Sequence, residues 1–179
     1  VWLIRTAGFP ETAVPWDAQP QQSAIRHAFL QLRGKGYDKD KMLSVPVGRR
    51  LYLYLSGHGF SQGTNQPALL TAEAMLDYLA HLYANAWIEW FRAAGFFEEY
   101  VVWVDCCMNG FSQVQEERLP NKLVGGDPGR AFVGVAANSR SALEAVMPDG
   151  AVHGVFTWTL LQGLRGRAAE QGVITGESL

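Results

Sequence analysis

The chain has 179 residues, 48% of them hydrophobic and 18% charged, with a net charge of −2 at neutral pH. That length and composition fit one globular domain spanning residues 1–179, and the acidic balance excludes the basic footprint of a nucleic-acid binder. No apolar run reaches the ~20 residues that a membrane-spanning helix requires, so no membrane partner is expected.

Residues 1–4 read as a short strand; they are too few for a signal-peptide core and lack a charged lead. Residues 8–20 hold three prolines and read as loop. In residues 21–33, Ile25, Ala28, Phe29 and Leu32 form one helical stripe, and Gly34 and Gly36 end it. Residues 37–48 read as polar connection and 49–56 as the first long strand. A Gly/Ser/Thr/Asn loop over 57–66 and a small strand over 68–71 precede an aromatic-rich helix over 78–94, stopped by Gly95. A strand over 100–104 leads into a polar loop, 108–130, with four glycines and two prolines. Residues 131–136 read as strand, 138–150 as loop and 155–164 as a helix with Phe156, Leu160, Leu161 and Leu164 on one side. Strands alternating with helices predict a parallel α/β sheet with helices on both faces.

Two stretches concentrate the chemistry. Tyr100, Val101, Val102, Trp103 and Val104 are apolar without alternation, as in a strand covered on both faces, and the run stops at Asp105, Cys106 and Cys107. Leu51-Tyr52-Leu53-Tyr54-Leu55 has the same build and stops at Ser56-Gly57-His58-Gly59. His58 lies 49 positions before Cys107, room for one crossover between neighbouring parallel strands. Open α/β sheets place their sites at carboxyl strand ends. A thiol beside an imidazole becomes a nucleophile, and backbone N–H groups of Gly59 and of the reacting cysteine would meet an oxyanion. Gly59, lacking a side chain, would let a substrate carbonyl approach. The bland readings stand beside these: free cysteines usually pack in cores, and Asp105 can cap the turn after its strand. His27, His81 and His153 read as structural or solvated.

Cys106 and Cys107 are the only cysteines. They offer no disulfide framework, which fits a reducing, cytoplasmic setting, and adjacent thiols lack the spacing of a zinc site. The chain opens inside an apolar run at Val1 and closes at Leu179 where a new element begins. A domain cut at both ends, with further domains in the full-length chain, is therefore expected.

Ser56-Gly57-His58-Gly59 together with Asp105-Cys106-Cys107-Met108-Asn109-Gly110 resembles the caspase–metacaspase clan of cysteine peptidases. The clan separates its histidine and cysteine by about 50 residues. Gly154-Val155-Phe156-Thr157 followed by Leu160-Leu161 resembles the clan's helix after its fifth strand. The resemblance implies a caspase-like three-layer sandwich and a cysteine endopeptidase acting on protein or peptide substrates. It implies His58 as the catalytic imidazole, Cys107 as nucleophile, Gly59 and Cys107 as oxyanion donors, and Cys106 at a variable position. Asp105 matches the acid that lines the pocket for the residue before the scissile bond, which favours Arg or Lys. Glu144 falls in a loop that builds pocket walls, where it would add a second negative charge; taken by itself it reads as a solvated acid. The loop 108–130 matches the linker cut on activation, with Arg118, Lys122 and Arg130 as basic sites for self-cleavage.

The chain departs from the metacaspase pattern in having Met108-Asn109-Gly110 after the cysteines where His-Ser-Gly is usual, and in lacking the first strand and helix. No cofactor or metal is expected for the chemistry; some metacaspases require calcium, but no calcium-loop pattern is present. Two other readings fit the same residues. One is a catalytically silent caspase-like scaffold, the other a different cysteine hydrolase or transferase on an α/β frame.

Overall fold

Side-chain alternation along three parallel strands organises the molecule. The computed structural model describes residues 19–61, 66–75, 77–110, 119–121, 127–137 and 140–179. The strand expected over 1–4, nearly all of the loop 8–20, and Arg118 and Lys122 lie outside those residues.

In chain order, helix α1 (Gln22–Lys35) precedes a short antiparallel pair, β1 (Tyr37–Asp38) and β2 (Leu43–Ser44). Strand β3 (Gly48–Ser56) leads to an antiparallel unit of β4 (Gly59–Ser61), β5 (Pro67–Leu70) and β6 (His81–Tyr83). Helix α2 (Ala84–Ala94) is followed by β7 (Phe97–Asp105) and β8 (Arg130–Val135). Strands β9 (Glu144–Val146) and β10 (Val152–Gly154) form a hairpin before helix α3 (Val155–Gln162). A π-helical turn, Gly163–Arg167, and a last pair, β11 (Ala169–Glu170) and β12 (Val173–Ile174), complete the order.

The fold is mixed α/β around a parallel sheet of order β3–β7–β8. Its register aligns Leu51 with Tyr100 and Ala131, and Leu55 with Val104 and Val135. Because successive side chains point to opposite faces, Leu51, Leu53, Leu55, Tyr100, Val102 and Val104 share one face, toward the main core. Tyr52, Tyr54, Trp103 and Phe132 share the other.

Helix α2 supplies the core because Ala84, Trp87, Ile88, Phe91 and Ala94 recur at helical spacing and are all buried. Gly95, in the left-handed region at φ 67°, ends it and returns its N–H to Arg92 and Phe91 carbonyls. Helix α1 adds Ile25 and Phe29, whose ring meets Phe91 edge-on at 5.5 Å. Its first turn has no side-chain cap of its own; the Glu73 carboxylate accepts the Gln22 N–H at 2.7 Å instead. The buried Tyr100 hydroxyl is satisfied by donating to the Phe91 carbonyl at 2.9 Å and accepting the Phe97 N–H at 3.1 Å.

Several sequence expectations are corrected. The helix expected over 78–94 begins only at Ala84, because His81, Leu82 and Tyr83 pair with Leu70, Leu69 and Ala68 of β5. That pairing buries Leu82 in the main core and Tyr83 against Phe60, an outcome periodicity alone does not distinguish from a helix. Gly34 lies inside α1, and the connections 37–48 and 138–150 contain β1, β2 and β9. Strand β7 begins three residues earlier than expected, at Phe97, because Glu99 is taken up by Arg50 of β3 and Arg130 of β8. The last helix ends at Gln162, where the π turn begins; within it Gly166 has φ 117°. Strand β3 is buried on one face and only partly covered on the other, with Tyr52 58% and Tyr54 45% exposed. Among the described residues no helix is long and apolar enough to cross a membrane.

Candidate active site

Strands β3 and β7 are parallel neighbours with Ser56 opposite Asp105, so their carboxyl ends emerge side by side. The Gly57 N–H donates to the Asp105 carbonyl at 3.1 Å, and the Ser61 N–H to the Asn109 carbonyl at 3.0 Å. These bonds hold the two tips together past the end of the sheet. Between them opens a cavity of about 570 Å3. Tyr54, Ser56 and Asp105 line it from the sheet, His58 and Cys107 from the tips, Leu143 from the loop before β9, and Glu144, Gly154 and Thr157 from the hairpin and α3.

Alternation separates the two thiols. Residues 101, 103 and 105 face one way and 100, 102 and 104 the other, and the turn continues that parity. Cys106 joins the main core, 1% exposed, whereas Cys107 is half-buried and lines the cavity. Burial, with the neighbouring Cys107 and Asp105 charges adding to it, pushes the Cys106 thiol up to about 11. The Cys107 Sγ accepts the Ala142 N–H at 3.4 Å, from the loop before β9. His58 is exposed at the opposite tip.

Gly59 has a different structural reason from the one its sequence position implies. A Cβ there would stand 2.6 Å from the Cys106 Sγ and 2.7 Å from the Ala68 carbonyl oxygen, so the space beside it is filled by protein. Its N–H is nevertheless turned toward the second tip. Leu70 donates to the His58 carbonyl at 2.8 Å, which makes His58–Leu70 a hydrogen-bonded pair. The next pair, Gly59–Leu69, is then a non-hydrogen-bonded one, and the Gly59 N–H points away from β5, as the Ser61 N–H does.

Asp105 forms the floor and is 8% exposed. Its carboxylate accepts the hydroxyl proton of Thr157 on α3, and the Thr157 hydroxyl is bonded in turn to the Tyr54 hydroxyl at 2.6 Å. This long-range partner displaces the reading of Asp105 as a turn cap. Gly154 lies over the same carboxylate, where a Cβ would come within 3.0 Å of Oδ2.

No protein-family model matches the chain, and no curated protein matches it. The case for the site therefore rests on its residues and their placement.

The remaining histidines lie elsewhere. His27 is exposed and bonded to Gln31, and buried His81 is bonded through Nδ1 to the Leu79 carbonyl. His153 is paired with Asp149 at 2.7 Å. The Ala151 N–H and then His153 hold the Asp149 carboxyl below its ordinary range. Glu144 stands in the cavity wall. Among the described residues no group of three or more His, Cys, Asp and Glu is placed to hold a metal ion. Sequence reasoning did not single out Tyr54, Thr157 or Gly154 as site residues. The available signal was the parity of Tyr54 with Ser56 and the threonine in the first turn after Gly154.

Proposed function

We propose that the protein is a cysteine endopeptidase of the caspase–metacaspase kind, built on a caspase-like α/β sandwich and cleaving after Arg or Lys. The observation that carries this reading is the delivery of His58 and Cys107, by neighbouring parallel strand tips, to one cavity floored by a buried carboxylate.

In this mechanism the substrate's basic side chain enters the cavity toward Asp105, leaving the peptide carbonyl over Cys107. His58 takes the thiol proton, and the thiolate sulfur adds to the carbonyl carbon. The N–H groups of Gly59 and Cys107 stabilise the oxyanion that forms. The tetrahedral intermediate collapses, the C–N bond breaks, and His58 returns the proton to the leaving amine. Water, deprotonated by His58, then adds to the thioester; the acid leaves and the Cys107 thiol is restored.

Fluorogenic peptides with Arg, Lys, Asp or Leu before the reporter test it. Cleavage after Arg or Lys is expected, falling by about three orders of magnitude or more in Cys107→Ala and His58→Ala and retained in Cys106→Ala. Turnover that survives Cys107→Ala, or a preference for Asp, would overturn the reading.

A further inference from the structure

The buried carboxylate of the cavity is oriented by a chain of two hydroxyls. Thr157 donates its only hydroxyl proton to Asp105 Oδ2, so its oxygen accepts from Tyr54, and the order of donation runs Tyr54 to Thr157 to Asp105. The three residues come from three elements: β3, α3 and the end of β7. On the remaining side Gly154 contributes no side chain; a Cβ would reach 3.0 Å from Oδ2 and 3.9 Å from Oδ1. One flank of the carboxylate is therefore fixed by hydroxyls and another is kept open by a glycine.

We propose that Thr157 and Tyr54 are positioning residues that set the plane of the Asp105 carboxylate and so favour a planar guanidinium or amidinium over a round ammonium. The inference rests on the reading of Asp105 as the floor of a site for basic side chains. The terminal torsion of an unrestrained aspartate is broad. A planar cation bonding both oxygens requires that torsion to be set, whereas a single ammonium follows the carboxylate wherever it turns. Among the described residues Thr157 is the hydrogen-bond partner of the carboxylate, at one acceptor direction of Oδ2, which leaves Oδ1 and the second direction of Oδ2 for the ligand. Tyr54 acts one bond further out, by holding the Thr157 hydroxyl in the donating orientation.

Binding of benzamidine and of n-butylamine to the intact protein, read by calorimetry or by NMR titration, tests this without any need for turnover. Thr157→Val, which keeps the shape and removes the hydroxyl, is expected to weaken benzamidine about tenfold and butylamine about twofold or less. Thr157→Ser is expected to restore benzamidine binding. Tyr54→Phe, a change at a half-exposed position that leaves packing intact, is expected to weaken benzamidine about threefold. Parental benzamidine affinity in Thr157→Val, equal losses for both probes, or no rescue by serine would overturn the proposal, as would failure of benzamidine to bind. A protein that shows the expected pattern but cleaves no peptide would sink the peptidase reading and keep this one. Arg-selective cleavage unchanged in Thr157→Val would do the reverse.

Discussion

The two faces of the parallel sheet are made from the same three strands and have opposite characters. The face under α2 is dry: Tyr100 and Val102 are fully buried against Trp87, Trp90 and Phe91. The face toward α3 is covered in part: Thr157 meets Tyr54 and Asp105 at its carboxyl end, and Gly176 lies against the Phe132 ring farther back. Tyr52 and Phe132 stay exposed and Tyr52 stacks on Trp103 at 6.0 Å. Burial on the first face supplies cohesion, and incomplete cover on the second leaves room for a cavity. Cys106 and Cys107, adjacent in the chain, fall on different sides of this division. One is packing and the other is available for chemistry.

Truncations on the two faces should break the comparison most forcefully. Trp87 is fully buried among Phe29, Trp90 and Phe91. Trp87→Ala is expected to cost about 3–5 kcal/mol in urea unfolding. Tyr52→Ala, at a position 58% exposed, is expected to cost about 1 kcal/mol or less. Comparable costs would mean that the second face is covered as tightly as the first.

The strands that make this division were legible in the sequence, but the division was not, because both apolar runs read as covered on both faces. Leu-Tyr-Leu-Tyr-Leu over 51–55 and the apolar run over 100–104 placed both strands, and their abrupt ends placed His58, Asp105 and Cys107 at the tips. What escaped depends on contacts between distant residues. The Tyr54–Thr157 bond joins positions 103 apart, and β6 is a strand only because β5 lies beside it. Glu98 and Glu99 hid the start of β7, since a strand of acidic residues looks unfavourable until Arg50 and Arg130 are seen on either side.

The two thiols sharpen the comparison at the scale of one peptide bond. Iodoacetamide near neutral pH is expected to label Cys107 and spare Cys106, whose thiol is buried and raised to about 11. The same shift predicts an alkaline loss of stability. Cys106 in the unfolded chain ionises near its ordinary 9.0, while in the folded chain it holds its proton to about 11. Its contribution is thus complete below pH 9.0 and falls away between 9.0 and about 11, as ionisation increasingly favours the unfolded chain. Urea midpoints measured from pH 8 to 10.5 should fall more steeply for the parent than for Cys106→Ala. Parallel slopes, or faster labelling of Cys106, would place both cysteines on the same side of the division.

The smallest effect is expected at the rim of the cavity. Glu144 pairs with Gly154 across the β9–β10 hairpin, and residues directly opposite in such a pair project to the same face. The Cβ direction of Gly154 runs toward Asp105 Oδ2, so Glu144 projects to that side as well. The two acids differ in solvation: Asp105 is buried, whereas Glu144 is exposed and its field is screened. Glu144→Gln is therefore expected to weaken benzamidine by about threefold or less at low salt, with the difference fading as ionic strength rises. Asp105→Asn removes the desolvated charge, and its larger loss is expected to persist in salt. Equal and salt-resistant losses in the two variants would show that the rim acid is as deeply engaged as the floor acid, and would move the boundary between solvated and buried charge outward to the hairpin.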